Sequence, residues 1–272
     1  MTRRPRRNDR RPDRPTGGAV WLWGWHAVQA ALANPARGAP QRLLAVPDRA
    51  RRLNEMFPAL RPEVVEARVI EQTLGRSGVV HQGTAALVSE LQPASLADLA
   101  QPASGLLVML DQATDPQNVG AIFRSAAAFG ARGVILQDRH APPLTGAMAK
   151  AAAGALERIG CAREVNLTRT LEKLSDWGWR CVGLDAKAPA TLDEILDPRP
   201  TVLVLGSEDE GLRRLVSEHC DVLARIPMPG GFESLNVATA AAISLYAAQG
   251  AQGRAKGRQP SDQAGSSTAL RP

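Results

Sequence analysis

Five short apolar runs set the strongest constraint on this chain. "LLVML" (106–110), "GVILQ" (133–137), "RCVGLD" (180–185), "TVLVLG" (201–206) and "VLARIPM" (222–228) are nearly unbroken by polar residues, and helix-like stretches separate several of them. A strand that is apolar on both faces must be covered on both faces. Strands of this kind alternating with helices therefore predict an α/β fold with a parallel sheet between two helical layers. The helical stretches include "NVGAIFRSAAAFG", closed by Gly130, the largely helical "LTGAMAKAAAGALERI", and the amphipathic "TRTLEKLSDWG", closed by Gly178.

Ahead of this region, residues 19–91 alternate shorter runs: "GWHAVQAALANP" as a helix ended near Pro35, with "QRLLAV" and "TAALVSEL" as strands. Between the two regions "QPASLADLAQPASG" (92–105) has the Pro, Ser and Gly content of a linker. The expected organisation is a basic arm at 1–18, an N-terminal domain at 19–91, a linker at 92–105, a main domain at 106–249 and a disordered tail at 250–272. The formal charge is +6. Residues 1–18 contribute a net +5 and residues 250–272 a net +3, so residues 19–249 sum to −2. Basicity thus lives in the tails, and flexible Arg-rich arms suit phosphates of nucleic acid.

Other classes are disfavoured. No apolar run approaches the roughly 20 residues of a membrane span, and the basic N-terminus lacks the apolar core of a secretory signal. Cys161, Cys181 and Cys220 are odd in number and form no CxxC pair, which points to a reducing cytoplasm. His26, His81, His140 and His219 show no metal-ligand spacing, so no metal is expected. A dinucleotide fingerprint, a Walker A loop and a nucleophile elbow are all missing from the sequence.

Ligands of open α/β sheets gather at the carboxyl ends of strands, and three such ends carry polar residues. After the first strand, Asn118 and Gly120 open a helix, and Arg124 follows less than two turns later. In "LGSEDEGL" Gly206 and Gly211 bracket a turn that holds Glu208. In "IPMPGGFESLNVATAAAI" a stiff, small-residue loop gives way to an apolar helix expected to span 234–248, with Ser234 as its N-cap. Capping by Ser234 leaves Asn236 unexplained.

In order and spacing, "NVGAIFR", "LGSEDEGL" and "IPMPGGFESLNVATAAAI" resemble motifs 1, 2 and 3 of the SpoU (TrmH) branch of the SPOUT RNA methyltransferases. "GWHAVQAAL" and "HQGTAALV" resemble the N-terminal substrate-binding domain of the branch's ribosomal members, so the likeness covers about residues 20–248. Ala238 departs from the pattern, which usually has Ser there. The resemblance implies a C-terminal parallel-sheet SPOUT domain with a trefoil knot, a small N-terminal α/β (L30e-like) domain, and a homodimer. It implies S-adenosylmethionine as cofactor and methyl transfer to a guanosine ribose 2′-oxygen in 23S ribosomal RNA. The alternatives are a transfer RNA ribose methyltransferase and a non-catalytic RNA-binding assembly factor. By the same route, Gly206, Ile226 and Leu235, with Leu205 and Met228, match cofactor-binding positions. Asn118, Arg124, Glu208, Ser234 and Asn236 match the active site. Arg124 matches the arginine held to activate the 2′-hydroxyl. A guanidinium with a pKa above about 12 is a poor general base, so phosphate binding and alkoxide stabilisation suit it better. Glu208 would hold this arginine or the loop in place, and the resemblance allows Arg124 and the cofactor loops to come from different subunits.

Overall fold

A computed structural model of the chain describes residues 18–139, 141–144, 146–208, 210–231 and 233–256. The expected arm (but for Gly18) and residues 257–272 of the expected tail lie outside the described residues.

The first half builds a four-stranded sheet. In chain order it contains β1 (Ala19–Trp23), α1 (Trp25–Ala33), β2 (Arg42–Ala45), α2 (Pro47–Met56), β3 (Glu63–Val64), α3 (Ala67–Leu74) and β4 (Thr84–Ser89). The strand order is β1-β4-β2-β3, with β4 antiparallel to both neighbours and β2 parallel to β3.

The second half is a six-stranded sheet in the order β10-β8-β9-β5-β6-β7, every pairing parallel. Its elements are α4 (Leu96–Ala100), β5 (Leu106–Leu110), α5 (Pro116–Ala128), β6 (Gly133–Gln137), α6 (Gly146–Ala152), β7 (Gly160–Glu164), α7 (Leu167–Asp176), β8 (Arg180–Leu184), α8 (Leu192–Ile195), β9 (Thr201–Leu205), α9 (Arg214–Glu218), β10 (Val222–Ala224) and α10 (Val237–Lys256). All residues of β5, β6 and β9 are buried, as unbroken apolar strands require. One face packs α5, α6 and α10 through Val119, Ile122, Phe123, Met148 and Leu245, and the other packs α4, α7 and α9 through Leu99, Leu171, Leu174 and Val216. Each fully buried leucine or valine adds about 1.5–3 kcal/mol of transfer free energy.

Three expectations change. Residues 92–105 are not a bare linker, because Ser95 Oγ caps α4 by accepting from Asp98 N at 3.1 Å, and Leu96, Leu99 and Ala100 are buried. The last helix starts at Val237 rather than at Ser234. It also runs beyond 248 to Lys256, so residues 250–256 are helix rather than tail. Ala251 is buried there, and Gln252 Nε2 donates to Gly105 O and Arg199 O at 2.9 and 3.2 Å.

The two sheets are docked. A Cβ on Gly146 would lie 2.1 Å from Trp23 Cζ3 and 2.5 Å from Trp21 O, so only glycine admits the approach of α6 to β1. Beside this contact Arg37 and Glu157 form a buried ion pair at 2.6 Å. Asn34 Nδ2 adds a 2.7 Å bond to the same carboxylate, and Arg37 Nη1 donates to Ser89 O at 2.6 Å.

Candidate active site

The carboxyl ends of β8, β9 and β10 surround a cavity of about 350 Å³. Its apolar walls include Leu205 at the end of β9, Ile226 just past β10, and Leu235 before α10. Gly206, Glu208, Met228 and Ser234 also line it. Gly206 is obligatory for its shape. A Cβ there would lie 2.0 Å from Gly211 C and 2.1 Å from Gly211 O. The turn after β9 folds back this tightly because Ser207 and Gly211 exchange backbone hydrogen bonds at 3.1 and 3.2 Å, and Gly211 adopts φ +71°.

At the rim one carboxylate oxygen gathers three elements. Glu208 Oε1 accepts from Asn118 Nδ2 and from Asn236 Nδ2, both at 2.6 Å, and from Val237 N at 3.4 Å. Asn236 Nδ2 also donates to Asn118 Oδ1 at 3.1 Å. Bonds to an ionised acceptor are short and comparatively strong. They tie the first turn of α5, the turn after β9 and the start of α10 together. Asn118 is positioned by its helix, whose N-cap Asp115 accepts from Gln117 N at 3.0 Å.

Asn236 resolves the puzzle of the last helix. Its Oδ1 accepts from Ala238 N at 2.9 Å and Thr239 N at 3.3 Å, the pattern of an N-cap. Asn236, rather than Ser234, caps α10. Its other amide atom is spent on Glu208 and Asn118, so one side chain both starts the helix and joins the polar cluster. Ser234 is left exposed in the irregular segment that lines the cavity.

Of the ten sequence-predicted site residues, seven line the cavity: Leu205, Gly206, Glu208, Ile226, Met228, Ser234 and Leu235. Asn118 and Asn236 reach it through Glu208. Arg124 is the exception. It is exposed on α5, forms no ion pair among the described residues, and does not line the cavity. The expected hold of Glu208 on this arginine is not seen, because the carboxylate is occupied by two asparagines.

Two features escaped the sequence. Asp111, fully buried directly after β5, accepts from Arg213 N at 3.0 Å and from Arg213 Nε at 2.8 Å, fixing the segment after the Gly206–Gly211 turn. The end of β8 contributes Leu184, Asp185 and Lys187 to the cavity. Its signal was present, since "RCVGLD" is an apolar strand ending in a carboxylate.

The cavity suits an amphipathic, cationic small molecule. Its volume lies within the usual ligand range, its walls are aliphatic, and among its described charged residues Asp185, Glu208 and Glu210 outnumber Lys187 and Arg225. Among the described residues no group of three His, Cys, Asp or Glu side chains could hold a metal ion. No described helix is long and apolar enough to cross a membrane. Burial raises the thiols, to about 11 for Cys161 and, with help from Asp221 and Asp111, to about 12 for Cys220.

The model of the SpoU rRNA Methylase family matches residues 105–246. The chain is 46% identical over 170 residues to an "Uncharacterized tRNA/rRNA methyltransferase" of Mycobacterium avium (strain 104), a match covering 61% of this chain and 55% of that protein. It therefore spans about half the length of the mycobacterial relatives it matches. It is 40% identical over 237 residues to the 23S rRNA (guanosine-2'-O-)-methyltransferase RlmB of Xylella fastidiosa (strain 9a5c), covering 84% of this chain and 95% of that one. Among solved structures, the SpoU methyltransferase AviRb from Streptomyces viridochromogenes in complex with AdoMet superposes with a TM-score of 0.71 at 26% identity, over 89% of this chain and 92% of that one.

Proposed function

We propose that this chain, which belongs to the SpoU rRNA methylase family, is an S-adenosylmethionine-dependent methyltransferase acting on the ribose 2′-oxygen of a guanosine in 23S ribosomal RNA. The observation that carries the reading is the Glu208 cluster, which joins all three sequence motifs at the rim of one glycine-walled cavity. The substrate assignment leans on the RlmB of Xylella fastidiosa, whose likeness runs through the N-terminal sheet as well as the main one.

In this reading Leu205, Ile226 and Leu235 grip the adenine, and Gly206 lets backbone approach its edge. Met228 closes the loop side, and the acidic lining favours the cofactor's cationic groups. S-adenosylmethionine, when bound, supplies a methyl group already activated on a sulfonium. What remains for the protein is alignment of the 2′-oxygen and disposal of its proton. Asn118, Ser234 and Asn236 present polar atoms around the rim to orient the ribose, and Glu208 holds the two asparagines in register. Arg124 binds the phosphate beside the target ribose and stabilises the developing alkoxide; its guanidinium is too weak a base to take the proton.

Because Arg124 does not reach the cavity of its own chain, we assign it to the site of a second copy in a homodimer. The exposed side chains of Ile243 and Tyr246 on α10 form part of the face that the second copy covers. The N-terminal sheet serves as the RNA-binding domain, in the cytoplasm where ribosomal RNA is made. The trefoil knot that the family resemblance implies belongs to the same reading. Calorimetry with S-adenosylhomocysteine and mapping of 2′-O-methyl sites in ribosomal RNA from cells with and without this gene test the reading. One guanosine in 23S RNA should lose its methyl group. An unchanged map, or loss in transfer RNA alone, overturns the assignment.

A further inference from the structure

The cavity just described occupies only one side of the sheet's carboxyl edge. On the other side, past the ends of β6 and β7, lies a second groove of about 740 Å³. One segment separates the two: Glu210, Gly211 and Leu212 line the first cavity, and Arg213 and Arg214 line the second. The Asp111–Arg213 bonds anchor this partition.

Two independent features of the groove point to a ligand. Gln137, the last residue of β6, lines it while being only 7% exposed, and its Oε1 has no hydrogen-bond partner among the described residues. A buried amide oxygen without a partner is costly, and an incoming N–H removes that cost. The groove is also lined by the start of the ten-residue helix α7. Asn166 Oδ1 satisfies only Arg169 N, so the amides of Leu167 and Thr168, ahead of the helical ladder, are available to an anion at the positive end of the helix. Arg169 lines the groove, exposed and with no side-chain partner among the described residues. Arg213 and Arg214 are already paired, with Asp111 and Glu218, and Glu172 adds one negative charge paired with His219.

A phosphate position beside an acceptor for a base N–H is the recognition pattern of a nucleotide. We propose that this groove is a second RNA subsite that takes an unpaired nucleotide of the substrate strand. Its phosphate sits at the α7 N-terminus beside Arg169, and its base edge donates to Gln137. The inference rests on the RNA reading above and adds a place where the strand is held beyond the target ribose.

The test uses the full chain, a large-subunit ribosomal RNA transcript, and the Arg169→Ala and Gln137→Leu variants. Each substitution should weaken RNA binding about five- to tenfold. Arg169→Ala should also flatten the dependence of log affinity on log salt by about 0.7–0.9, the loss of one phosphate contact. S-adenosylhomocysteine affinity should not change in either variant. Gln137→Leu should melt at or above the parental temperature, since it removes an orphaned polar atom. If it melts lower, Arg169→Ala, on an exposed side chain, decides alone. Parental RNA affinity and salt slope in Arg169→Ala overturn the subsite. Guanosine monophosphate that fills the groove without competing with the transcript overturns the RNA assignment. A parental chain that binds S-adenosylhomocysteine but no ribosomal RNA defeats the functional reading as well.

Discussion

Asn236 does two jobs with the two ends of one amide, and substitution can pull them apart. Its Oδ1 caps α10, and its Nδ2 holds Glu208 and Asn118. Alanine removes both. Loss of an N-cap costs about 1 kcal/mol, and loss of a hydrogen bond to an exposed carboxylate adds about 0.5–1 kcal/mol after water takes its place. At roughly 2–4 °C per kcal/mol for a chain of this size, Asn236→Ala should melt about 3–8 °C lower. Serine is as good a cap as asparagine, but its hydroxyl is too short to cap the helix and reach Glu208 Oε1 together. Asn236→Ser should therefore regain most of the lost melting temperature while leaving Glu208 and Asn118 unpinned. If the cluster orients the ribose, kcat/KM with ribosomal RNA should fall about 100-fold or more in both variants, equivalent to roughly 2.7 kcal/mol of transition-state stabilisation. Thermal melts and single-turnover methylation assays on the two variants read the separation. Activity that returns in Asn236→Ser in step with the melting temperature would refute the reasoning, because capping would then be all that Asn236 does.

Gly206→Ala should reduce S-adenosylhomocysteine affinity more than tenfold by calorimetry, since the new methyl must displace the backbone of Gly211 and Leu212. Arg124→Ala should abolish turnover while leaving S-adenosylhomocysteine affinity unchanged, and Arg124→Lys should restore part of it; substantial turnover by the alanine variant with RNA bound would remove both roles assigned to the arginine. Tyr246→Glu should shift the chain toward monomer in analytical ultracentrifugation if its exposed face meets a second copy. Glu157→Ala should lower the melting temperature by on the order of 10 °C, because breaking a buried pair from one side costs about 3–5 kcal/mol. Iodoacetamide at pH 8 should leave the native chain unlabelled, since burial pushes the thiols of Cys161, Cys181 and Cys220 well above that pH, and should add three labels after denaturation.

The main sheet was legible because its strands are apolar on both faces, a pattern that only a doubly covered sheet tolerates. The site was legible to the extent that strand ends could be recognised. The ends of β5, β9 and β10 each carry glycine or amide residues, whereas β8 ends in a lone aspartate that nothing beside it marks. The cap of the last helix lies two residues beyond the expected one because Ser234 and Asn236 are both good caps, and composition cannot rank them. The decision is tertiary: Leu235 lines the cavity from an irregular segment, so the helix has to begin after it. Residues 92–105 were misjudged for a related reason. Its two Pro, two Ser and one Gly read as breakers, but Leu96, Leu99 and Ala100 repeat at helical spacing, and Leu99 fills the space that Gly133 and Gly160 leave open.

The position of Arg124 follows from how the polar residues are shared out. Glu208 is the acidic group nearest to the motif-1 amide, and had it paired with Arg124 the site would be complete within one chain. Instead its Oε1 is filled by Asn118, Asn236 and Val237 N. An arginine drawn into that cluster would have to displace a cap-linked amide and so loosen the start of α10. Left outside it, exposed and without an ion pair among the described residues, Arg124 is open to the phosphate that the proposed function assigns to it. The unfilled guanidinium and the filled carboxylate are thus two sides of one arrangement; in the dimer proposed above, the cavity is preorganised by its own chain and the second copy supplies the charge that meets RNA. A dimer in which wild-type protomers are mixed with Asn236→Ala, Arg124→Ala double variants offers the direct check. If arginine and cavity come from different copies, each mixed dimer holds one site assembled from a variant cavity and a wild-type arginine and another from the reverse, so both are defective and mixing lowers activity below the wild-type share. If both come from one copy, the wild-type protomer keeps its full activity and the mixture retains that share.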